Sequence, residues 1–366
     1  HYGLFGVALI LPPLLWKKLH FFSHFSFLIF AGYSLYIISI GGDVLYAGRF
    51  FVPVLFFFYF PLADAVYRLA EYLPLSKKIG FAFLALAFTA YSYFTPLANL
   101  KTSAAGERGL IARMSGFALF FAPDEKAKSF ALSSIGAFSY YVGEKPVFDM
   151  LGLTEPAVAK NPEQIEGLAS TWKEKRYNAG YILSKKPDVI VIPTRFKPAS
   201  PAEKALFLYP DFRQNYRLEI YFGKGILLPY YHRFQDRPVP GFRDQNPPFV
   251  ELFNQSIDAL ETKQFPAALG GLKQILTNGP NDFPALYMLT GYAYHALGQI
   301  DSAEQYLQKA LELDGGGSAS RFYYRNFLYH QGRFAEVRQQ DSVLLQTTPG
   351  AAAFLAPIPN RQEGGN

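Results

Sequence analysis

Cysteine is absent from the 366 residues. Disulfides, thiol catalysis and Cys-ligated zinc or iron–sulfur centres are therefore excluded. The missing thiols do not fix the compartment. Charge is scarce as well, at 17% of the chain, while half the residues are apolar and the mean hydropathy is +0.05. This is neither a disordered chain nor a typical solvated enzyme. The net charge of +6 is not gathered into a basic face, so no nucleic-acid partner is expected. Gly-x-Ser-x-Gly, Walker and dinucleotide fingerprints are all missing. Histidine is sparse: His20 and His24 have helical spacing but no third ligand beside them, and His232, His295 and His330 read as isolated. No metal site is expected on that basis.

What the chain has in abundance is Phe, at 36, and Tyr, at 25. The apolar weight lies at the front. Residues 1–96 carry only six basic and three acidic residues. Apolar stretches near 2–16, 21–40, 50–67 and 79–94 read as transmembrane helices, since about 20 apolar residues cross a hydrocarbon core. The stretch 2–16 is short, and an interfacial helix containing Pro12-Pro13 is its alternative. His1 lacks both a preceding Met and a basic n-region, so the chain reads as N-terminally truncated rather than as starting with a signal peptide.

Basic residues in short loops set orientation. Lys17-Lys18 and Arg68, Lys77, Lys78 fall in alternate loops, and both loops read as cytoplasmic. The loop 41–49 and everything after Phe94 then face outward. That loop reads Gly-Gly-Asp-Val-Leu-Tyr-Ala-Gly-Arg, from Gly41 to Arg49. A charge at a bilayer edge is costly unless solvated or paired. An Arg there suits a phosphate, through two parallel charge-assisted hydrogen bonds. An Asp can hold sugar hydroxyls, orient a metal or accept a proton. A polar turn with an interfacial anchor is the plainer alternative.

The segment Gly41–Pro53 resembles the outer-loop motif of GT-C class membrane glycosyltransferases, in particular the mycobacterial terminal β-arabinofuranosyltransferases. A second match runs from Ile135 through Tyr140-Tyr141 to Asp149-Met150-Leu151-Gly152-Leu153-Thr154-Glu155, with Glu155 standing where those enzymes carry Asp. A third, weaker match covers Ser184–Val191. The resemblance spans residues 41–194. It implies transfer of a sugar from a polyprenyl-phosphate donor to a glycan, lipid or protein acceptor on the outer face of a bacterial plasma membrane. It also implies donor binding by Asp43, Tyr46 and Arg49, and acceptor or sugar binding by Tyr140, Tyr141 and Asp149. The catalytic Asp of such enzymes lies in the first outer loop, and no counterpart is found here. The catalytic residue is therefore expected N-terminal to this chain, and the chain is expected to be inactive alone. The resemblance fixes no cofactor, and whether a divalent cation takes part stays open.

Residues 97–236 lose the membrane character and read as a small extracytoplasmic α/β domain. Strands are expected at 128–135, 147–151 and 188–192, helices at 162–176 and 178–184, and a hairpin over 216–222 and 226–231. Residues 237–248 are Pro-rich and read as a linker. Residues 249–350 show a period near 35, clearest at Tyr287, Gly291, Tyr294, Gly298, Ala303, Leu307 and Ala310, which resembles tetratricopeptide repeats. The second repeat departs at Thr290, and the third carries Arg325 at a small-residue position. Such an array offers a face for a protein partner, or simply braces the outer domain. Residues 351–366 read as a flexible tail.

The fold class expected is thus a multi-pass α-helical membrane protein with about four spans, a small outer α/β domain and an all-α tetratricopeptide-repeat domain. The activity expected is glycosyl transfer. The alternatives are a non-catalytic, membrane-anchored repeat scaffold for envelope assembly, or an oligosaccharide ligase or polymerase.

Overall fold

The computed structural model describes residues 10, 12–39, 49–71, 74–168, 176–223, 226–244, 248–348 and 350–358. It is mostly helical with one small sheet, and it divides into two units, His1–Gly109 and Leu110–Asn366.

In the first unit, helix α1 is Phe21–Ser39 and α2 is Leu55–Glu71, the latter preceded by a 3-10 turn at Arg49–Val54. The two helices pack through Phe30, Val54 and Phe58, with the rings of Phe30 and Phe58 at 5.0 Å. Asp64 near the end of α2 accepts hydrogen bonds from the His20 amide at 2.8 Å and the Ser23 hydroxyl at 2.5 Å. It also pairs with Arg68 at 3.4 Å, so this charge inside an apolar helix is neutralised. The contact brings the start of α1 to the end of α2, which makes them an antiparallel hairpin. Phe21, Phe25, Leu28, Leu35 and Ile38 on α1, and Phe56 on α2, remain exposed. The segments Phe21–Ser39 and Phe51–Glu71 are long and apolar enough to cross a membrane. Among the described residues these two meet that test. The expected first span lies mostly outside the described residues. The expected fourth falls within α3, Leu75–Phe121, whose 47 residues run unbroken past the expected boundary at 96.

The second unit is built on a five-stranded sheet in the order β2-β1-β3-β5-β4. The strands are β1 Phe130–Leu132, β2 Val147–Asp149, β3 Val189–Val191, β4 Tyr216–Gly223 and β5 Ile226–Arg233. The first three are parallel, and β5 joins β3 and β4 in antiparallel fashion. Alternation sorts the side chains. Phe130, Leu132, Val189 and Val191 face Met114, Phe117 and Phe121 from the last turns of α3. Ala131 and Ile190 face the opposite layer. Both faces are covered, which is why the short parallel strands read as continuous apolar runs. Asp188 ties the strand starts together, accepting from the amides of Lys128 at 3.0 Å and Ser129 at 2.9 Å.

The hairpin and β3 form as expected, but β1 stops at Leu132. Ile135–Val142 forms helix α4, so Gly136 lies inside a helix and does not end a strand. Helices α5, Pro156–Lys160, and α6, Ala179–Ser184, follow. Asn178 caps α6 by accepting from the Tyr181 amide at 2.8 Å. The expected helix at 162–176 does not form in its described part, 162–168. Two short helices, α7 at Pro201–Phe207 and α8 at Pro210–Asn215, were not expected. Each has Pro at its first position, where a missing N–H costs nothing.

Six helices then stack in pairs: α9 Pro248–Glu261 with α10 Phe265–Asn278, α11 Pro284–Ala296 with α12 Ile300–Leu313, and α13 Ser318–His330 with α14 Phe334–Thr347. Gly291 lets α11 and α12 close up. A Cβ there would lie 2.6 Å from Leu307 Cγ and 3.1 Å from the Ala303 carbonyl. Thr290 is buried and donates its hydroxyl to the Leu286 carbonyl at 2.7 Å, so the polar group is satisfied within its own helix. Arg325 is fully buried and pairs with Asp341 at 2.8 Å.

The segment 237–248 does not separate two bodies. Phe207 and Phe212 from α7 and α8, Tyr231 from β5, Phe253 from α9 and Phe283 pack in one core. Arg213 is the polar clasp of this junction. It donates to Asp282 at 2.7 Å, to Asp244 at 2.8 Å and to the Phe207 carbonyl at 2.9 Å. Glu219 on β4 accepts from the Ser318 amide at 2.7 Å, capping α13. The start of the expected tail is also docked: Phe354 packs on Phe222 and Phe322, and the Ala356 carbonyl accepts from Arg325.

Candidate functional site

The parallel strands place three chain segments at one edge of the sheet. The order β2-β1-β3 means the chain leaves β1 in one direction and returns on its other side. The crevice between the carboxyl ends of β1 and β3 is therefore the topological switch point, where open α/β sheets hold ligands. Ser133 follows β1 there, and its hydroxyl donates to Glu203 of α7. Glu203 is buried and also accepts from the amides of Ala199 at 2.7 Å and Ser200 at 3.2 Å. Burial pushes its carboxyl above the ordinary range, despite the hydrogen bonds. This pair fills the crevice beside β1 with a satisfied polar network.

The residues expected at the site separate into three groups. Asp43 and Tyr46 lie outside the described residues. Arg49 begins the 3-10 turn before α2, and only its backbone is described. Tyr140 and Tyr141 end α4 on the surface, with Tyr140 80% exposed and the two rings edge to face at 5.0 Å. They are not core residues, so their faces are open to a ligand. Asp149 is different, at 1% exposure. Its carboxylate accepts from the Leu151 amide at 2.9 Å and the Thr154 amide at 2.7 Å. Gly152 in the same turn has φ +71°, and a Cβ there would meet the Ala159 amide at 2.9 Å. Glu155 accepts from the Tyr181 hydroxyl at 3.1 Å. The Asp-x-x-Gly-x-Thr-Glu run is thus accounted for by turn geometry, and Asp149 shapes the turn rather than meeting solvent.

A cavity of about 390 Å³ lies beyond β3, between the loop Arg195-Phe196 and the helix pairs. Glu261, His295 and His330 line it, and each stands at or next to the last residue of the first helix of its pair. The sequence reads these histidines as isolated; the repeat brings their rings to 5.3 Å. Burial and the neighbouring His330 hold the His295 imidazole below its usual value. Tyr292 and Tyr323, edge to face at 5.4 Å, and Asn326 add to the lining. The helical period itself carries the signal: residues 261, 295 and 330 recur at the same register. Arg195 has φ +78°, and no hydrogen bond or ion pair engages its side chain among the described residues. Among those residues no group of three or more His, Asp or Glu is placed to hold a metal.

A family model described as a domain of unknown function (DUF8728) matches residues 110–242. The match begins where the second unit begins and takes in the sheet, α4–α8 and the cavity loop, but none of the helix pairs. No curated protein and no solved structure matches the chain.

Proposed function

We propose that the chain belongs to a multi-pass membrane glycosyltransferase. It transfers a sugar from a polyprenyl-phosphate donor to an envelope glycan, lipid or protein acceptor on the outer face of a bacterial plasma membrane. The observation that carries this reading is the pair of long apolar helices between which the Gly41–Arg49 segment lies in the sequence. Each helix is long and apolar enough to cross a membrane, and Arg49 starts the turn leading into the second. The likeness of that segment to GT-C outer loops supplies the chemistry. The acceptor hydroxyl attacks the anomeric carbon, the bond to the donor phosphate breaks, and the hydroxyl proton passes to a carboxylate base. Arg49 binds the departing phosphate and Asp43 with Tyr46 orient the donor. The exposed Tyr140-Tyr141 pair offers ring faces to a sugar, and the helix pairs act as tetratricopeptide repeats on the outer side. In membranes carrying the complete reading frame, Arg49→Ala weakens donor affinity; unchanged affinity would reject the phosphate role.

A non-catalytic scaffold is the second reading. The fusion of the α/β layer and the helix pairs into one body with its own cavity favours it. It requires Asp43 and Arg49 to be dispensable, which the same variants decide. A product that gains a block of sugars would instead place the chain with ligases or polymerases.

A further inference from the structure

Arg195 is held in a left-handed conformation that is costly for a non-glycine residue. Strain of this kind persists where the surroundings fix it, and here the strained residue borders a cavity at the carboxyl end of a parallel strand. Its guanidinium has no partner among the described residues. Two imidazoles whose rings are 5.3 Å apart line the same cavity, whereas Glu261 is the one carboxylate in the lining. A cavity of that volume falls within the range of small-ligand sites. Its other walls mix aliphatic side chains, Ile257, Leu260, Leu289 and Leu307, with aromatic ones, and Asn326 adds an amide. The lining thus suits a ligand with a single anionic group on a ring that has apolar C–H faces and also carries hydroxyls.

We propose that the cavity binds a sugar bearing a carboxylate, a uronic acid unit of the acceptor glycan. Arg195 takes the carboxylate in a fork, and His295 and His330 add charge-assisted hydrogen bonds when protonated. Tyr292 and Tyr323 pack on the ring face, and Asn326 and Glu261 meet the hydroxyls. The proposal rests on the glycosyltransferase reading for the presence of a glycan, but the site stands apart from the Asp43–Arg49 loop.

The test is titration of the whole chain in detergent with sodium glucuronate, glucose and acetate, followed by calorimetry and by the histidine ring-proton signals. Glucuronate is expected to bind roughly tenfold more tightly than either control, with His295 and His330 signals shifting and His232 unmoved. Arg195→Gln is expected to abolish the preference over glucose. Because no hydrogen bond or ion pair engages the Arg195 side chain among the described residues, the variant is expected to keep its circular dichroism spectrum. His295→Gln with His330→Gln is expected to weaken glucuronate several-fold and to remove the tightening seen as pH falls below about 6.5. Equal binding of glucose and glucuronate overturns the proposal. So does acetate binding as tightly as glucuronate, or an Arg195→Gln variant with unchanged preference. Failure here with donor binding still sensitive to Arg49→Ala removes this inference and leaves the transferase reading intact. Success here with donor binding indifferent to Arg49 does the reverse.

Discussion

Arg213→Met is the most direct probe of how the second unit holds together. Methionine keeps most of the side-chain stem, so little volume is lost, but every donor disappears. The arginine side chain is 3% exposed, and it serves Asp282, Asp244 and the Phe207 carbonyl together. Removing one partner of a buried pair costs about 3–5 kcal/mol, because the carboxylates keep their desolvation without their counter-charge. Asp282 and Asp244 are 25% and 35% exposed, so water recovers part of that loss. The low end, about 3 kcal/mol, is therefore expected. At roughly 2–4 °C per kcal/mol for a unit of this size, the melting midpoint falls by about 6–12 °C. Circular dichroism of the detergent-solubilised chain measures it. Limited proteolysis should show faster cleavage within 237–244, because Asp244 loses its anchor. Arg213→Met combined with Asp282→Asn should cost less than the two single changes added, since each removes the same contact. A midpoint shift below 2 °C, or strict additivity, would refute the clasp.

Other outcomes follow from the packing and the charges. Gly291→Ala should destabilise by about 1–3 kcal/mol in urea unfolding, because the new methyl meets Leu307 and the Ala303 carbonyl with no flexible neighbour to yield. Arg195→Gly should raise stability by about 1 kcal/mol through release of the left-handed strain, while abolishing any uronate preference; a loss of stability would mean the side chain has a structural partner. His295 and His232 both lie below their usual imidazole value because burial opposes the charged form. The unfolded chain therefore takes up protons first as pH drops below about 6.5, so stability is complete above that value and declines beneath it. His295→Gln should flatten the decline, and an unchanged slope would contradict it. Glu203 has the opposite sign. Its raised folded value means the native state holds its proton longer, so stability declines as pH rises from about 4.5, and Glu203→Gln should remove that component.

Much of this architecture can be read from local patterns. The hairpin is announced by Tyr216–Phe222 and Ile226–Tyr231 around a Gly-Lys-Gly break, and α6 by Asn178 ahead of an apolar run. The apolar stretches at 21–40 and 50–67 give the two long helices of the first unit because length and hydropathy suffice. Errors arise where tertiary contacts decide. The strand expected over 128–135 ends at Leu132, and Ile135–Val142 is a helix because Phe138 and Val142, four apart, pack on the α3 face of the sheet. Pro201 and Pro210 each start a short helix that lies outside every element expected from the sequence. The tyrosine pair is legible only as surface or core, and burial alone assigns it to the surface. Asp149 carries a motif that looks chemical until its carboxylate is seen to be spent on two backbone amides. The histidine pair has no signature within any window shorter than the repeat, since its members are joined by helical register.

The continuous core between the sheet and the helix pairs changes how the two halves can be studied. Excising residues 249–350 would strip the contacts of Phe253 and Phe283 from Phe207, Phe212 and Tyr231 and open that side of the core to water. A truncation of that sort reports misfolding whatever the repeats do. Only side-chain replacements on the cavity wall, made in an otherwise whole chain, can separate recognition by the helices from their part in keeping the sheet folded.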